Sequence, residues 1–240
     1  MGKTLTIAKR EIESLFFSPV AYLALAVFAF VTGLLFIFGV FSPGMEASMT
    51  DMYLGIVWLL AFVIPAISMR LISEETSTGT LEMLLTSPVN DTQIILGKWL
   101  GAMAFFFVLL IPIILQIALL ELKASPDYGP ILTGLFGLLL VGGLYMAVGL
   151  FISAFNKSQL VSFMITVLIT GLFTVGMYVL STAEFIPNWL KGSMYYMNVN
   201  EQYRAFAKGL IDIRNIVYFV TTIALFLFLG VKALESKRWS

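Results

Sequence analysis

The sequence predicts an all-α polytopic membrane protein with six transmembrane helices. Hydrophobic residues make up 60% and charged residues 12% of the 240 residues, whereas soluble domains average about 25% charged residues. The mean hydropathy is +0.97. Six nearly uncharged segments reach the roughly 20 residues that a helix needs to cross a bilayer. They lie near 20–41, 52–69, 99–120, 131–155, 160–180 and 215–234.

Residues 1–19 predict an interfacial helix that forms an elbow before the first span. Apolar residues alternate with charged ones such as Glu11, a mixture that suits a helix with its apolar side toward acyl chains and its charges toward water. Pro19 cannot continue the helical hydrogen bonds and restrains Ser18 before it, so the helix should break there. An ordinary juxtamembrane segment is the alternative.

The composition excludes several classes of function. The chain has no cysteine and no histidine, so thiolate and imidazole metal ligands, a cysteine nucleophile and a histidine base are missing. We expect no metal, no cofactor and no catalytic residue in this chain. An intramembrane enzyme would have to pair serine with lysine, and the predicted spans hold no lysine at a useful depth. The net charge of zero argues against nucleic-acid binding, which needs a basic patch.

Lysine and arginine predict the orientation in the membrane. With six spans, both termini share one side with residues 70–98 and 156–158. That side carries nine Lys and Arg residues, and the other side carries five. Since cytoplasmic loops are enriched in these residues, we expect both termini to be cytoplasmic.

A short helix is predicted within residues 70–98, the longest polar interruption between spans on this side. Thr78 or Gly79 can cap its start, and Glu82 would lie in its first turn, where a carboxylate meets the positive end of the helix dipole. Pro88 would end it.

A second helix can begin at Asn90 or Asp91 and lead into the third span. The short helix before it carries three leucines on one face, rimmed by acids, and exposed leucines of this kind suggest the groove of a partner protein. Composition and spacing thus predict a docking surface. The leucines are Leu81, Leu84 and Leu85.

Four hydroxyl residues of the fifth span are spaced four apart, which puts them on one helix face. They either bond to carbonyls of their own and neighbouring helices, or line a substrate pathway or a subunit interface. No span carries the mid-membrane ionisable residue typical of an ion-coupled carrier, although a secondary carrier or channel and a membrane scaffold stay as alternatives. The residues are Ser162, Thr166, Thr170 and Thr174.

Residues 181–214 predict short helices at the outer face, because they are too aromatic for a solvated linker. Asn200 is expected to cap one helix, Gly209 to end it, and Asp212 to cap the last span. The segment either re-enters the outer leaflet and covers the bundle or rests on the membrane surface.

Residues 73–98, SEETSTGTLEMLLTSPVNDTQIILGK, resemble the signature of ABC type-2 exporter permeases. In that family an acidic pair, Gly-Thr-Leu-Glu, a leucine pair and a Ser/Thr-Pro turn recur between the second and third spans. Residues 8–23, AKREIESLFFSPVAYL, resemble the elbow of the family. Residues 200–219, NEQYRAFAKGLIDIRNIVYF, and 226–239, FLFLGVKALESKRW, resemble its gliding-motility-associated branch.

The resemblance implies that residues 1–240 form a single permease domain in the cell (inner) membrane. Two such subunits, identical or different, would form the pathway of an exporter. A coupling helix of each would sit in a cleft of a cytoplasmic ABC ATPase subunit, which holds ATP and Mg.

Glu74 and Glu75 can also be interpreted as solvated charges, and Gly79 as a turn glycine. The resemblance assigns the coupling role to nine residues in all. They are Glu74, Glu75, Gly79, Thr80, Leu81, Glu82, Leu84, Leu85 and Pro88.

Overall fold

A computed structural model describes residues 2–40, 48–81, 89–122, 126–183 and 187–238. Within these ranges the regular secondary structure is helical throughout, and six helical stretches are long and apolar enough to cross a membrane. The prediction of a six-span, all-α membrane protein is therefore confirmed. In chain order, spans 1 to 6 are Pro19–Gly39, Thr50–Thr78, Asp91–Glu121, Tyr128–Phe155, Gln159–Thr182 and Ile213–Lys237.

Helix α1 (Gly2–Phe16) precedes span 1, which is helix α2 (Pro19–Gly39). The two helices are separated at Ser18, and Pro19 occupies the first turn of α2, where its missing N–H costs no hydrogen bond. The predicted break at this point is confirmed. The position of α1 relative to the membrane surface stays a prediction.

Spans 2 and 3 are each built from two helices. Span 2 consists of α3 (Thr50–Ser68) and α4 (Arg70–Thr78), and span 3 of α5 (Asp91–Leu109) and α6 (Ile111–Glu121). Proline accounts for the break in span 3, because Pro112 lies in the first turn of α6 and cannot donate a backbone hydrogen bond.

Span 4, helix α7 (Tyr128–Phe155), is the centre of the bundle. In the most apolar 18-residue stretch of span 4, 72% is buried inside the protein, compared with 22% for the same measure in span 5 and in span 6. Glycines let neighbouring helices approach closely: a Cβ on Gly142 would lie 2.2 Å from the Phe106 ring, and one on Gly149 would lie 1.9 Å from Ser68 Oγ. Small residues at such contacts are typical of helix packing in membranes.

Span 5 comprises α8 (Gln159–Gly171), a π-helical turn (Leu172–Gly176) and α9 (Met177–Thr182). The short helices α10 (Asn188–Met197) and α11 (Val199–Ala207) follow, and span 6 is part of α12 (Ile213–Arg238).

The caps around α11 were predicted in part. Asn198, not Asn200, caps α11, because its Oδ1 accepts from Glu201 N at 3.0 Å. Gly209 follows α11 with φ of +85°, and Asp212 Oδ1 accepts from Arg214 N at the start of α12, at 2.8 Å. The predicted roles of Gly209 and Asp212 are confirmed.

Side-chain contacts define two ends of the bundle. At one end, which we call the α4 end, Lys237 Nζ donates to Thr76 Oγ1 at 3.3 Å. At the opposite end, the α11 end, Tyr203 OH donates to Gly134 O at 3.1 Å and Thr50 Oγ1 donates to Ala207 O at 3.1 Å. The end of α12 and residues 70–81 therefore lie together.

Candidate functional site

The polar segment 70–98 begins with helix α4, the second part of span 2. The sequence predicted that a helix would start at Thr78 or Gly79, but α4 runs through Thr78, and Gly79 follows it with φ of +72°. Glycine adopts this left-handed conformation without a steric penalty, so Gly79 ends α4. Thr80 and Leu81, directly after Gly79, are helical, as expected for a helix that starts at this point, whereas α4 before it was not predicted.

The six predicted coupling residues that follow Gly79 divide into two groups. Thr80 and Leu81 resume helical structure, and Leu81 is buried in the hydrophobic core rather than facing outward as predicted. The other four lie outside the described residues. They are Glu82, Leu84, Leu85 and Pro88.

A buried ion cluster ties α4 to two other helices. Lys98 Nζ on α5 lies 2.9 Å from Glu11 Oε2 on α1 and 3.0 Å from Glu75 Oε1 on α4. The Lys98 side chain is 2% exposed. A charge removed from water must be paired to be tolerated, so the two carboxylates are what allow a lysine at this position.

Glycines bring α1 close enough to reach Lys98. A Cβ on Gly97 would lie 2.8 Å from Ile7 Cβ, and a Cβ on Gly101 would lie 2.8 Å from Ala8 O. Any larger residue at these two positions would push α1 away from α5. The glycines thus flank Lys98 and set the distance across which Glu11 pairs with it.

Arg70 makes a second link between α4 and α1. Its Nε lies 3.0 Å from Glu74 Oε2, and its Nη2 donates to Ser14 Oγ on α1 at 3.0 Å. Glu74 is 43% exposed, so this ion pair is more screened by solvent than the Lys98 cluster and contributes less.

Ser153 of α7 fastens the junction between α3 and α4. Its Oγ accepts from the backbone N–H groups of Ile72 at 2.9 Å and Ser73 at 2.8 Å, and donates to Met69 O at 3.0 Å. These amides lie in the first turn of α4, where helical hydrogen bonding is incomplete. A single buried hydroxyl therefore holds the start of α4 against the central helix.

A polar cavity of about 180 Å³ lies beside the ion cluster. It is bounded by α1, α4 and α5, and its lining carries both signs of charge. Glu75 Oε2 is buried there without a hydrogen-bond partner among the described residues. The charged residues of the lining are Arg10, Glu11, Arg70, Glu74, Glu75 and Lys98.

The four hydroxyls of the fifth span all point into the subunit. Each is buried, and the three threonines donate to the carbonyl four residues earlier. Thr170 also donates to Ala61 O on α3 at 2.9 Å, and Thr174 pairs with the Tyr145 hydroxyl at 2.6 Å. Ser162 Oγ bonds Ser158 O at 3.1 Å. Their assignment as a pathway or interface lining stays a prediction.

Sequence reasoning missed three members of the ion cluster and its surroundings: Glu11, Lys98 and Ser153. The prediction that the charges of α1 face water is wrong for Glu11, which is buried on the same face as Ala8 and Leu15. One available signal was the i, i+3, i+7 spacing of these three residues. Another was Lys98 itself, a lone charge next to Gly97 in an otherwise apolar run.

The sequence also matches a described protein family. A family model with the description ABC-2 family transporter protein matches residues 46–232. No curated protein matches the chain. The matched range takes in residues 70–98 and spans 2 to 5 with most of span 6, but not α1. The likeness to the gliding-motility-associated branch stays a prediction, because the match is to the family as a whole.

Proposed function

Because the chain belongs to the ABC-2 family of transporter proteins and is thus a membrane component of an ABC transporter, we propose that it is the permease subunit of an ATP-driven exporter. Two permease subunits, identical or different, form the substrate pathway. A separate cytoplasmic ATPase subunit binds ATP and Mg. The sequence has no G-x-x-x-x-G-K-S/T phosphate-binding loop, which supports hydrolysis on another polypeptide.

The observation that carries the proposal is the attachment of α4. Residues 79–90, which connect spans 2 and 3, follow directly after α4. Helix α4 is joined to α1 and α5 through Lys98 and to α7 through Ser153. A force on this connection therefore acts on three other helices at once. That is the arrangement expected of a segment that passes movement from a docked partner into a bundle.

The energy for this movement comes from nucleotide. ATP binds more tightly to one state of the ATPase than to the other, and only such differential affinity can shift a conformational equilibrium. In the proposed mechanism the closing ATPase pulls residues 79–90, and α4 passes the displacement through its buried contacts. Because packed interiors have low compressibility, the attached helices move as a body.

We further propose that the α4 end is cytoplasmic. Nine Lys and Arg residues lie near or beyond the ends of the spans on this side and five on the other, which is the bias expected of cytoplasmic loops. The ATPase is then on the same side as residues 79–90, as docking requires.

The proposed docking surface is tested with the double variant L84D/L85D. Two carboxylates in an apolar groove are left without partners, so their burial costs several kcal/mol. We expect the variant to lose co-purification with its co-expressed ATPase. The measurement is affinity capture of the tagged permease from detergent extract, followed by quantification of the ATPase.

The matched control is L210D/I211D. Leu210 and Ile211 are two consecutive apolar residues at the α11 end, and they are 63% and 61% exposed. This control should retain the ATPase, and both variants should elute as the unaltered protein does in size exclusion. Retention of the ATPase by correctly folded L84D/L85D would contradict the assignment.

A further inference from the structure

An apolar cleft lies between spans 5 and 6, near the α11 end. Its floor is α7, its walls are span 5 and α12, and Met197 and Val199 close it at the α11 end. The volume is about 240 Å³, larger than a 150 Å³ cavity of the kind that binds benzene. We name it the lateral cleft and define it by Leu144, Val148, Ile169, Phe173, Thr222 and Phe226.

The hydroxyl groups that reach the lateral cleft are already hydrogen-bonded within the protein. Tyr145 OH pairs with Thr174 at 2.6 Å, and Tyr218 OH donates to Met197 O at 2.9 Å. Thr222 donates to Tyr218 O at 2.6 Å, and Thr170 donates to Ala61 O at 2.9 Å. The remaining lining residues are apolar. A polar ligand would lose its hydration and gain no partner here, so the cleft suits an apolar one.

The wall formed by span 5 is shaped by the π-helical turn. Phe173 of this turn lines the cleft, and the next residue, Thr174, bonds to the floor through Tyr145. The buried Asn198 donates to Thr174 O at 3.2 Å and so satisfies a carbonyl in the irregular turn. Turns of this type occur frequently at functional sites. In this protein the turn is held by Tyr145 on one side and by Asn198 on the other.

The mouth of the lateral cleft is continuous with the bilayer-facing surface of two spans. Leu225 lines the cleft and is 53% exposed, and Leu168 on α8 is 70% exposed. From Tyr218 to Phe226 the cleft follows α12 for about 12 Å at 1.5 Å per residue. On the floor, Leu144 and Val148 lie just past the middle of α7. The cleft therefore extends from the α11 end to about the middle of the spans.

Tyrosines mark the α11 end of the lateral cleft. Tyr196 stacks edge-on against Tyr218 with ring centroids 5.8 Å apart, and Tyr196 is 52% exposed. Tyrosine is enriched at the depth of lipid headgroups, where its ring is in apolar surroundings and its hydroxyl is in polar ones. A lipid with its headgroup at this depth would direct an acyl chain along the cleft.

We propose that the lateral cleft binds one acyl chain of a membrane lipid from the leaflet at the α11 end. An apolar recess of this kind is not filled by water, and the acyl chains of the bilayer are the apolar molecules in contact with its mouth. The inference needs only that the protein spans a membrane. It is independent of the coupling role proposed for residues 79–90.

The test uses the purified full-length protein in nanodiscs of phosphatidylcholine that carries a diazirine on one acyl chain. After illumination, labelled peptides are identified by mass spectrometry. We expect labels on residues 144–148 and 218–226. The variant T222F should lower this labelling by about tenfold, because the phenyl ring occupies the volume of the chain.

The matched control is T221F. Thr221 is the neighbouring residue of the same helix, is exposed, and bonds the carbonyl four residues earlier, as Thr222 does. A second pair tests the opposite wall, with I169F in the lateral cleft and L168F on the exposed surface. T221F and L168F should label like the unaltered protein.

Equal labelling in T222F and T221F, together with equal labelling in I169F and L168F, would overturn the proposal. So would labelling confined to the exposed surfaces of α8 and α12. A second copy of the chain over the mouth is detected with L225C, since the chain has no native cysteine. An efficient disulfide cross-link between the introduced thiols of two copies would also overturn it.

Discussion

Lys98 and Lys232 show how burial changes the role of the same residue type. Both pair with glutamate, at 2.9 Å for Lys98 and Glu11 and at 2.7 Å for Lys232 and Glu235. The Lys98 side chain is 2% exposed and the Lys232 side chain is 55% exposed. Removing one partner of a buried pair leaves an uncompensated charge inside the protein, whereas an exposed charge is rehydrated.

We predict that K98M lowers the free energy of unfolding by about 3–5 kcal/mol, the cost of breaking a buried ion pair. Glu11 and Glu75 would remain close together without a cation between them. The matched variant K232M should cost at most about 1 kcal/mol. Thermal or denaturant unfolding in detergent measures both, and losses of equal size would contradict a special role for Lys98.

The ion cluster also marks where residue-level prediction from sequence stops. Glu74 and Glu75 could be singled out because they stand in a recognisable motif, but their contacts could not. Lys98 is 87 residues from Glu11, and an amphipathic pattern gives the faces of a helix without identifying its neighbour. For the same reason Ser153 could be noted as a polar residue in a span, but not as the group that caps Ile72 and Ser73.

At the scale of elements, the packing of α1 on α5 depends on two glycines. A Cβ on Gly101 would lie 2.8 Å from Ala8 O and 2.7 Å from Glu11 Cβ. Because one of these atoms belongs to the backbone, the clash cannot be relieved by rotating a side chain. Helix α1 as a whole has to move.

We predict that G101A destabilises the protein by about 1–3 kcal/mol, as overpacking does, and exposes α1 to trypsin at Lys9 and Arg10. The control is G33A on α2, where a Cβ has nothing within 4 Å. Since alanine favours helix over glycine by roughly 1 kcal/mol, G33A should be neutral or stabilising. Trypsin cleavage rates and melting temperatures report both effects, and identical behaviour of the two variants would argue against close α1 packing.

Hydropathy predicted the existence of all six spans, because the requirement for about 20 apolar residues is strict. It failed where polar residues continue a helix. Residues 70–78 were predicted as part of a polar loop, yet α4 is stabilised by partners on α1, α5 and α7. The π-helical turn at Leu172–Gly176 was also missed, since its contacts with Tyr145 and Asn198 come from other elements.

At the scale of the molecule, the two ends of the bundle differ in chemistry. The α4 end gathers the buried ion cluster and the polar cavity, whereas near the α11 end lies the apolar lateral cleft. Both ends contact the central helix α7, through Ser153 at one end and Gly134 at the other. Family resemblance was needed to interpret the α4 end as a coupling site, because spacing alone predicted only a docking surface.

Photo-cross-linking shows whether residues 79–90 contact the ATPase. A photoreactive amino acid is incorporated at Leu84, or at Leu210 as a control at the opposite end, and the permease is co-expressed with its ATPase. We predict an adduct between the two proteins from position 84 and none from position 210. No adduct from position 84, or one of equal yield from position 210, would contradict this contact.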